Sequence, residues 1–77
     1  MNFVYDYQYR LKLLREERKL TQTDMADVLG LTNQQAYQRY EGGKVLMPIH
    51  LLIQTAKYYD VSLDFLCGLT EDRTKRW

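Results

Sequence analysis

Start and stop signals for helices recur so often in this sequence that no helix can run beyond about four turns, and that punctuation constrains the fold most. Thr21-Gln22-Thr23-Asp24 is a capping-box-like start with Asp where Glu is usual, and Gly30 closes the segment it opens. Thr32 or Asn33 can cap the next segment, which runs to about Glu41 before Gly42-Gly43 stops it. Pro48 suits the first turn of a fourth, where its missing N–H costs nothing. Asp60-Val61 turns the chain, Ser62 caps a fifth and Gly68 ends it. Between these marks apolar residues recur at i, i+3 and i+4, with no strand-period run. Tyr7, Leu11, Leu14 and Arg18 predict one face of a first helix over about 6–19. Met25, Ala26 and Leu29 predict the second, and Ile49, Leu52, Ile53, Ala56 and Tyr59 the buried face of the fourth. The expected fold class is all-α with five short helices. Helix count alone is equally met by a generic helical bundle.

Seventy-seven residues make one small domain, without room for a large catalytic cleft. The expected division is an arm with the start of the first helix at 1–9, a helical domain at 10–67 and a tail at 68–77, frayed from Glu71 onward. No uncharged run reaches bilayer length, and Met1 to Asp6 lack a basic region followed by an apolar block. The expectation is a cytoplasmic module without a signal peptide. Eleven basic residues against ten acidic give a net charge of +1, where nucleic-acid binders are often strongly basic. The charges are unevenly spread, however. No acid occurs from Val28 to Tyr40, whereas acids gather at Asp60, Asp64, Glu71 and Asp72.

The third helix carries the chemistry. At about 100° per residue, Ala36, Tyr37 and Tyr40 fall on one side, with Gln34, Gln35, Gln38 and Arg39 opposite. An ordinary solvated face mixes Lys with Glu, but this one has three amides, a guanidinium and no carboxylate. A Gln amide matches adenine N6 and N7, and Arg matches guanine O6 and N7, while a carboxylate there would repel phosphates. The residue choice therefore fits the DNA major groove. The plain alternative is a Gln-rich polar face. Two short helices about a tight turn form the frame in which the second helix reads and the first crosses the backbone.

The blocks Arg15 to Ala26, Leu29-Gly30, Tyr37 to Lys44 and Val61 to Leu66, in that order, resemble the phage-repressor and Cro-type (XRE-type) helix-turn-helix DNA-binding family. The likeness covers about residues 10–67. It implies that Gln34, Gln35 and Arg39 meet base edges, with Gln38 beside them touching base or phosphate. It implies phosphate contacts at Gln22, which also supports the reading helix, and at Asn33 and Lys44; Arg10 or Lys12 are weaker candidates on their charge alone. Arg15 and Glu41 match a pair that bridges the first and third helices. Two departures stand out: one additional residue between Gly30 and Glu41, placed here in the turn at Leu31-Thr32-Asn33 (inside the third helix it would shift the base-reading assignments by one), and an apolar Val45-Leu46-Met47 where many relatives carry Lys or Arg.

Other features yield less. Gly42-Gly43-Lys44 lacks the Ser or Thr of a phosphate loop and has Gln38 where that loop needs Gly. His50 and Cys67 stand alone, so no metal or cofactor is expected. His50, Ser62 and Asp64 have no oxyanion site, and helix capping accounts for the last two, so the chain is not expected to be an enzyme. Phe3, Val4, Tyr5, Tyr7 and Tyr9 suit packing on the domain or on a partner. Leu63, Phe65, Leu66 and Leu69 are more apolar than one terminal helix needs and form a candidate dimer surface. The expected activity is transcriptional regulation, most simply repression though activation is equally compatible with the fold, by a homodimer on a palindromic double-stranded operator in a bacterial or phage-borne, nucleoid-associated setting. The alternative is an antitoxin or adaptor that uses the same scaffold to hold a protein partner.

Overall fold

The computed structural model describes residues 6–75; the aromatic cluster Phe3-Val4-Tyr5 lies outside the described residues, as do Arg76 and Trp77. The order is α1 (Asp6–Glu17), α2 (Gln22–Val28), α3 (Gln34–Glu41), α4 (Ile49–Tyr59) and α5 (Leu63–Leu66), with no strand among the described residues. The fold is all-α.

Local chemistry sets most of the boundaries. α1 ends two residues short of the expected limit because Lys19 takes a left-handed φ of 57°, letting the Leu20 N–H donate to the Arg15 carbonyl at 3.0 Å. Thr21 and Asp24 complete the capping box: the Asp24 N–H donates to Thr21 Oγ1 at 3.0 Å and the Thr21 N–H to Asp24 Oδ2 at 2.8 Å. Gly30, at φ 69°, turns the chain out of α2 while the Leu31 N–H closes on the Ala26 carbonyl at 2.8 Å. Asn33 Oδ1 accepts from the Ala36 N–H at 3.0 Å and caps α3, which then runs unbroken to Glu41. Pro48 sits one residue before α4 rather than in its first turn.

The core joins Tyr7, Leu11 and Leu14 of α1 with Met25, Ala26 and Leu29 around α2, Tyr37 of α3, Leu51, Leu52, Ala56 and Tyr59 of α4, and Phe65 and Leu66 of α5. Each such side chain stabilises the fold by about 1.5–3 kcal/mol on full burial. Tyr37 is the fully buried anchor of α3, Tyr40 packs beside it against the core, and the opposite flank is left open.

Three expectations need correction. Ile49 and Ile53 are exposed, and the buried face of α4 is Leu51, Leu52, Thr55, Ala56 and Tyr59. Thr55 goes inside because its Oγ1 donates to the Leu51 carbonyl at 2.7 Å and needs no water. Arg18 does not line the face of α1; its Nη2 donates to the Tyr59 carbonyl at 2.8 Å, a cation at the C-terminus of α4. The tail is docked, not frayed, over its described part. The Ser62 N–H donates to the Arg73 carbonyl at 2.9 Å, and Arg73 holds Glu17 with two hydrogen bonds of 2.9 and 2.8 Å. Arg10 and Arg73 both lie over the Phe65 ring, at 4.7 and 4.8 Å.

Candidate nucleic-acid interface

Because Tyr37 turns inward, residues two before and one or two after it come round to solvent. Gln35, Gln38 and Arg39 are exposed along this flank, and Lys44 is exposed just past the Gly stop. With Gly42 they line a shallow cavity of about 260 Å³. Among the described residues neither Arg39 nor Lys44 belongs to an ion pair. The stripe thus presents amide donors and acceptors with two cations and no anion.

Gln34 departs from that stripe. It is half-buried, and its Nε2 donates to Gln22 Oε1 at 2.7 Å. Gln22 Nε2 in turn donates to Glu41 Oε1 at 3.3 Å. Arg15 completes the chain with Nε to Glu41 Oε2 at 3.0 Å and Nη2 to Oε1 at 2.8 Å, while its Nη1 donates to the Leu20 carbonyl at 2.9 Å. One relay therefore runs from α3 to α2, back to the end of α3 and across to α1. Gln22 spends its carbonyl and one N–H here, keeping a single N–H for anything outside.

The relay is an electrostatic brace. The side chains of Arg15 and Glu41 are 13% and 5% exposed, well inside the range where an unpaired charge would be costly. Burial pushes the Glu41 carboxyl up. Hydrogen bonds and charge from Arg15, with the Gln22 amide, outweigh burial and hold it below the usual carboxylate range. Tyr37 rises because it is desolvated and feels the Glu41 charge, although its hydroxyl makes no hydrogen bond among the described residues. A second cavity, about 310 Å³, runs past Lys12, Arg15, Gln22, Gln38, Glu41 and Gly42, with Lys12 exposed.

Other candidates are placed as follows. Asn33 caps α3 with its side chain, leaving the first N–H groups of that helix directed outward. Arg10 is turned toward the tail: its Nη2 pairs with Glu71 at 3.0 Å and its side chain is 11% exposed. The candidate dimer surface also needs correction. Phe65 and Leu66 belong to the core, Leu63 is half-buried and only Leu69 is exposed. This helix of four residues presses Phe65 and Leu66 onto its neighbours, so it has little left for a second copy.

Sequence reasoning missed the Gln34–Gln22 link, the Leu20 carbonyl that anchors Arg15, and Gln8. The Gln8 amide lies against Gly43, where a Cβ would fall within 2.8 Å of Gln8 Oε1. No local pattern marks these partners. The only available signal was the pairing of polar residues at the starts of α2 and α3.

Residues 11–66 match the family model described as Helix-turn-helix. The chain is 38% identical over 66 residues to the protein named "Uncharacterized HTH-type transcriptional regulator YobD" of Bacillus subtilis (strain 168), covering 86% of this chain and 58% of that protein. It is 43% identical over 60 residues to "Uncharacterized HTH-type transcriptional regulator YqaE" of the same organism, covering 78% of this chain and 51% of that protein. The chain thus spans somewhat more than half the length of these curated relatives.

Proposed function

This chain belongs to the helix-turn-helix family, and from that premise we propose that it is a sequence-specific regulator of transcription that reads duplex DNA through the major groove with α3. Gln35, Gln38 and Arg39 are the base readers in this proposal, the amides suited to adenine and the guanidinium to guanine. Gln34 reads only with what its bond to Gln22 leaves free. Lys44, the N–H groups behind Asn33 and the remaining N–H of Gln22 hold phosphates and set the register of α3. The observation that carries the proposal is the exposed, carboxylate-free stripe Gln35–Gln38–Arg39–Lys44 over a buried brace. The near-neutral total charge of the chain places attraction in this local arrangement, so few phosphate contacts and a shallow salt dependence are expected.

Regulation follows from occupancy. A bound domain of this size blocks a promoter, and repression is the simplest outcome. Two copies on a palindromic operator would occupy half-sites about one helical turn, ~34–36 Å, apart. The action is proposed to lie in the cytoplasm at the nucleoid; no helix among the described residues is long and apolar enough to cross a membrane. The adaptor reading draws on exposed Val45 and Leu46, which would suit a protein partner. It leaves the carboxylate-free stripe without a purpose.

Selection of bound sequences from a random duplex library tests the proposal. Enrichment of a motif containing adenine and guanine, repeated as an inverted pair, is expected. Recovery of no motif at low salt would leave the scaffold as a protein-binding module.

A further inference from the structure

We propose that the hollow lined by Ala36, Arg39, Tyr40 and Val45 seats the C5-methyl group of a pyrimidine immediately 5′ of the guanine that Arg39 reads, so that these residues select a methylated pyrimidine–guanine step. The inference rests on the DNA-binding reading above and deepens it by assigning a base that the polar stripe alone does not recognise.

The hollow arises from the way the chain leaves α3. The Lys44 and Val45 N–H groups both donate to the Arg39 carbonyl, at 3.0 and 3.3 Å. This folds the loop back on the last turn and brings Val45 to the flank that carries Ala36 and Tyr40. Ala36, Arg39 and Tyr40 follow helical spacing and share one side of α3. The small side chain of Ala36 leaves the space open, about 110 Å³. That is several times the ~30 Å³ that a molecule as small as water takes up in the liquid. Tyr40 packs against the core, so the wall it supplies is fixed. Val45 is 46% exposed and leaves an apolar side chain at the rim.

The lining selects the guest. Ala36 and Val45 offer no side-chain hydrogen bond, so a phosphate or a base amino group pressed against them would lose its water without replacement. A methyl group loses nothing there and leaves water itself. Of the groups that the four standard bases show in the major groove, the C5-methyl of thymine is the apolar one. Methylation at C5 gives cytosine the same group.

Arg39 decides which pyrimidine is read. It lines both this hollow and the cavity of the reading stripe, and it belongs to no ion pair among the described residues. A guanidinium bonded to guanine O6 and N7 lies near the plane of that base. Successive bases are spaced about 3.4 Å apart, so the face of the guanidinium meets the C5 edge of the 5′ neighbour. The hollow beside Arg39 then receives the substituent on that edge.

The test uses the whole chain and the duplex recovered by selection, which should carry thymine 5′ of a guanine. Replacing that thymine by uracil opposite the same adenine removes the methyl group and no hydrogen bond. Affinity should fall about fourfold, the worth of one buried carbon. With cytosine at the same place, 5-methylation should raise affinity by a similar factor. In Val45→Ser the ratio of thymine to uracil affinities should fall to about one, and Val45→Ala should give an intermediate ratio. Binding of either variant to either duplex shows that it folds. Selection of cytosine at this position, with affinity rising on 5-methylation, supports the same seat with the modified base as its guest. Equal wild-type affinities for the thymine and uracil duplexes overturn the proposal, as does a selected motif with no pyrimidine 5′ of guanine. A ratio that survives both Val45 substitutions overturns the assignment of this hollow. Recovery of no motif at all overturns the DNA-binding reading and this inference together.

Discussion

Arg15 grips Glu41 at two points, Nε on Oε2 at 3.0 Å and Nη2 on Oε1 at 2.8 Å, and thereby ties α1 to the last residue of α3. The third guanidinium nitrogen holds the Leu20 carbonyl, so Arg15 also fixes the entry to α2. An exposed ion pair contributes little, but this one is nearly closed to solvent and shares its carboxylate with Gln22. It fixes the last turn of α3 against α1.

Removing one partner strands the other. Glu41→Ala is expected to destabilise the domain by about 3 kcal/mol, because a largely buried guanidinium loses its counter-ion. For a domain of this size that lowers the melting temperature by about 10 °C or more. DNA binding should weaken indirectly as α3 loosens. Thermal denaturation checks this, and an unchanged melting temperature would sink the structural role.

Acid should unfold the protein through its paired carboxyls. Glu41 is held low as described above, Glu17 by the hydrogen bonds and charge of Arg73, and Asp24 by the Thr21 N–H. Each titrates lower in the fold than in the unfolded chain. Its contribution is therefore whole above about pH 5, beyond the unfolded values, and disappears as pH falls through the folded values. Stability measured by denaturant titration should be flat from about pH 5 to 7 and decline below about 4. Glu41→Gln should make the acid decline shallower; an identical pH profile in the variant would remove Glu41 from the titrating set.

Reader and anchor separate by specificity. Gln35→Ala should cost about 1–3 kcal/mol on the selected duplex and almost nothing on random DNA. Lys44→Ala should weaken both alike and reduce the salt slope by about one ion. Equal losses on the two duplexes for Gln35→Ala would take Gln35 out of the readers.

The docked tail makes a prediction that the sequence alone would not. Truncation after Thr70 removes the Arg73 carbonyl that accepts from the Ser62 N–H, together with the Arg73–Glu17 fork. The Ser62 amide should exchange slowly with deuterium in the full chain and quickly in the truncated one. Arg73→Ala, which keeps the carbonyl, should leave that protection partly in place while lowering the melting temperature by a few degrees. Fast exchange in the full chain would show that the tail does not stay on the domain.

Helix boundaries were legible in the sequence because the forces that set them act over three or four residues. Thr21 and Asp24 need only each other, Asn33 needs only the Ala36 N–H, and Gly30 needs only its own freedom at positive φ. The absence of carboxylates from the exposed flank of α3 was equally plain, and with it the chemistry of that flank.

Tertiary structure decided which of two equivalent stripes went inside and which polar side chains stayed free. Ile49 and Ile53 satisfy helical spacing as well as Leu51 and Thr55 do, because periodicity fixes the interval between buried residues but not the direction in which the helix faces its neighbours. Gln34 and Gln35 are adjacent and identical, yet one is bound to Gln22 and the other exposed, a distinction set by a partner 12 positions away. The Arg15–Glu41 pair spans 26 positions and the Arg73–Glu17 pair 56. Contacts over such separations exist only once the helices have packed, and their geometry is a property of that packing rather than of any segment within it.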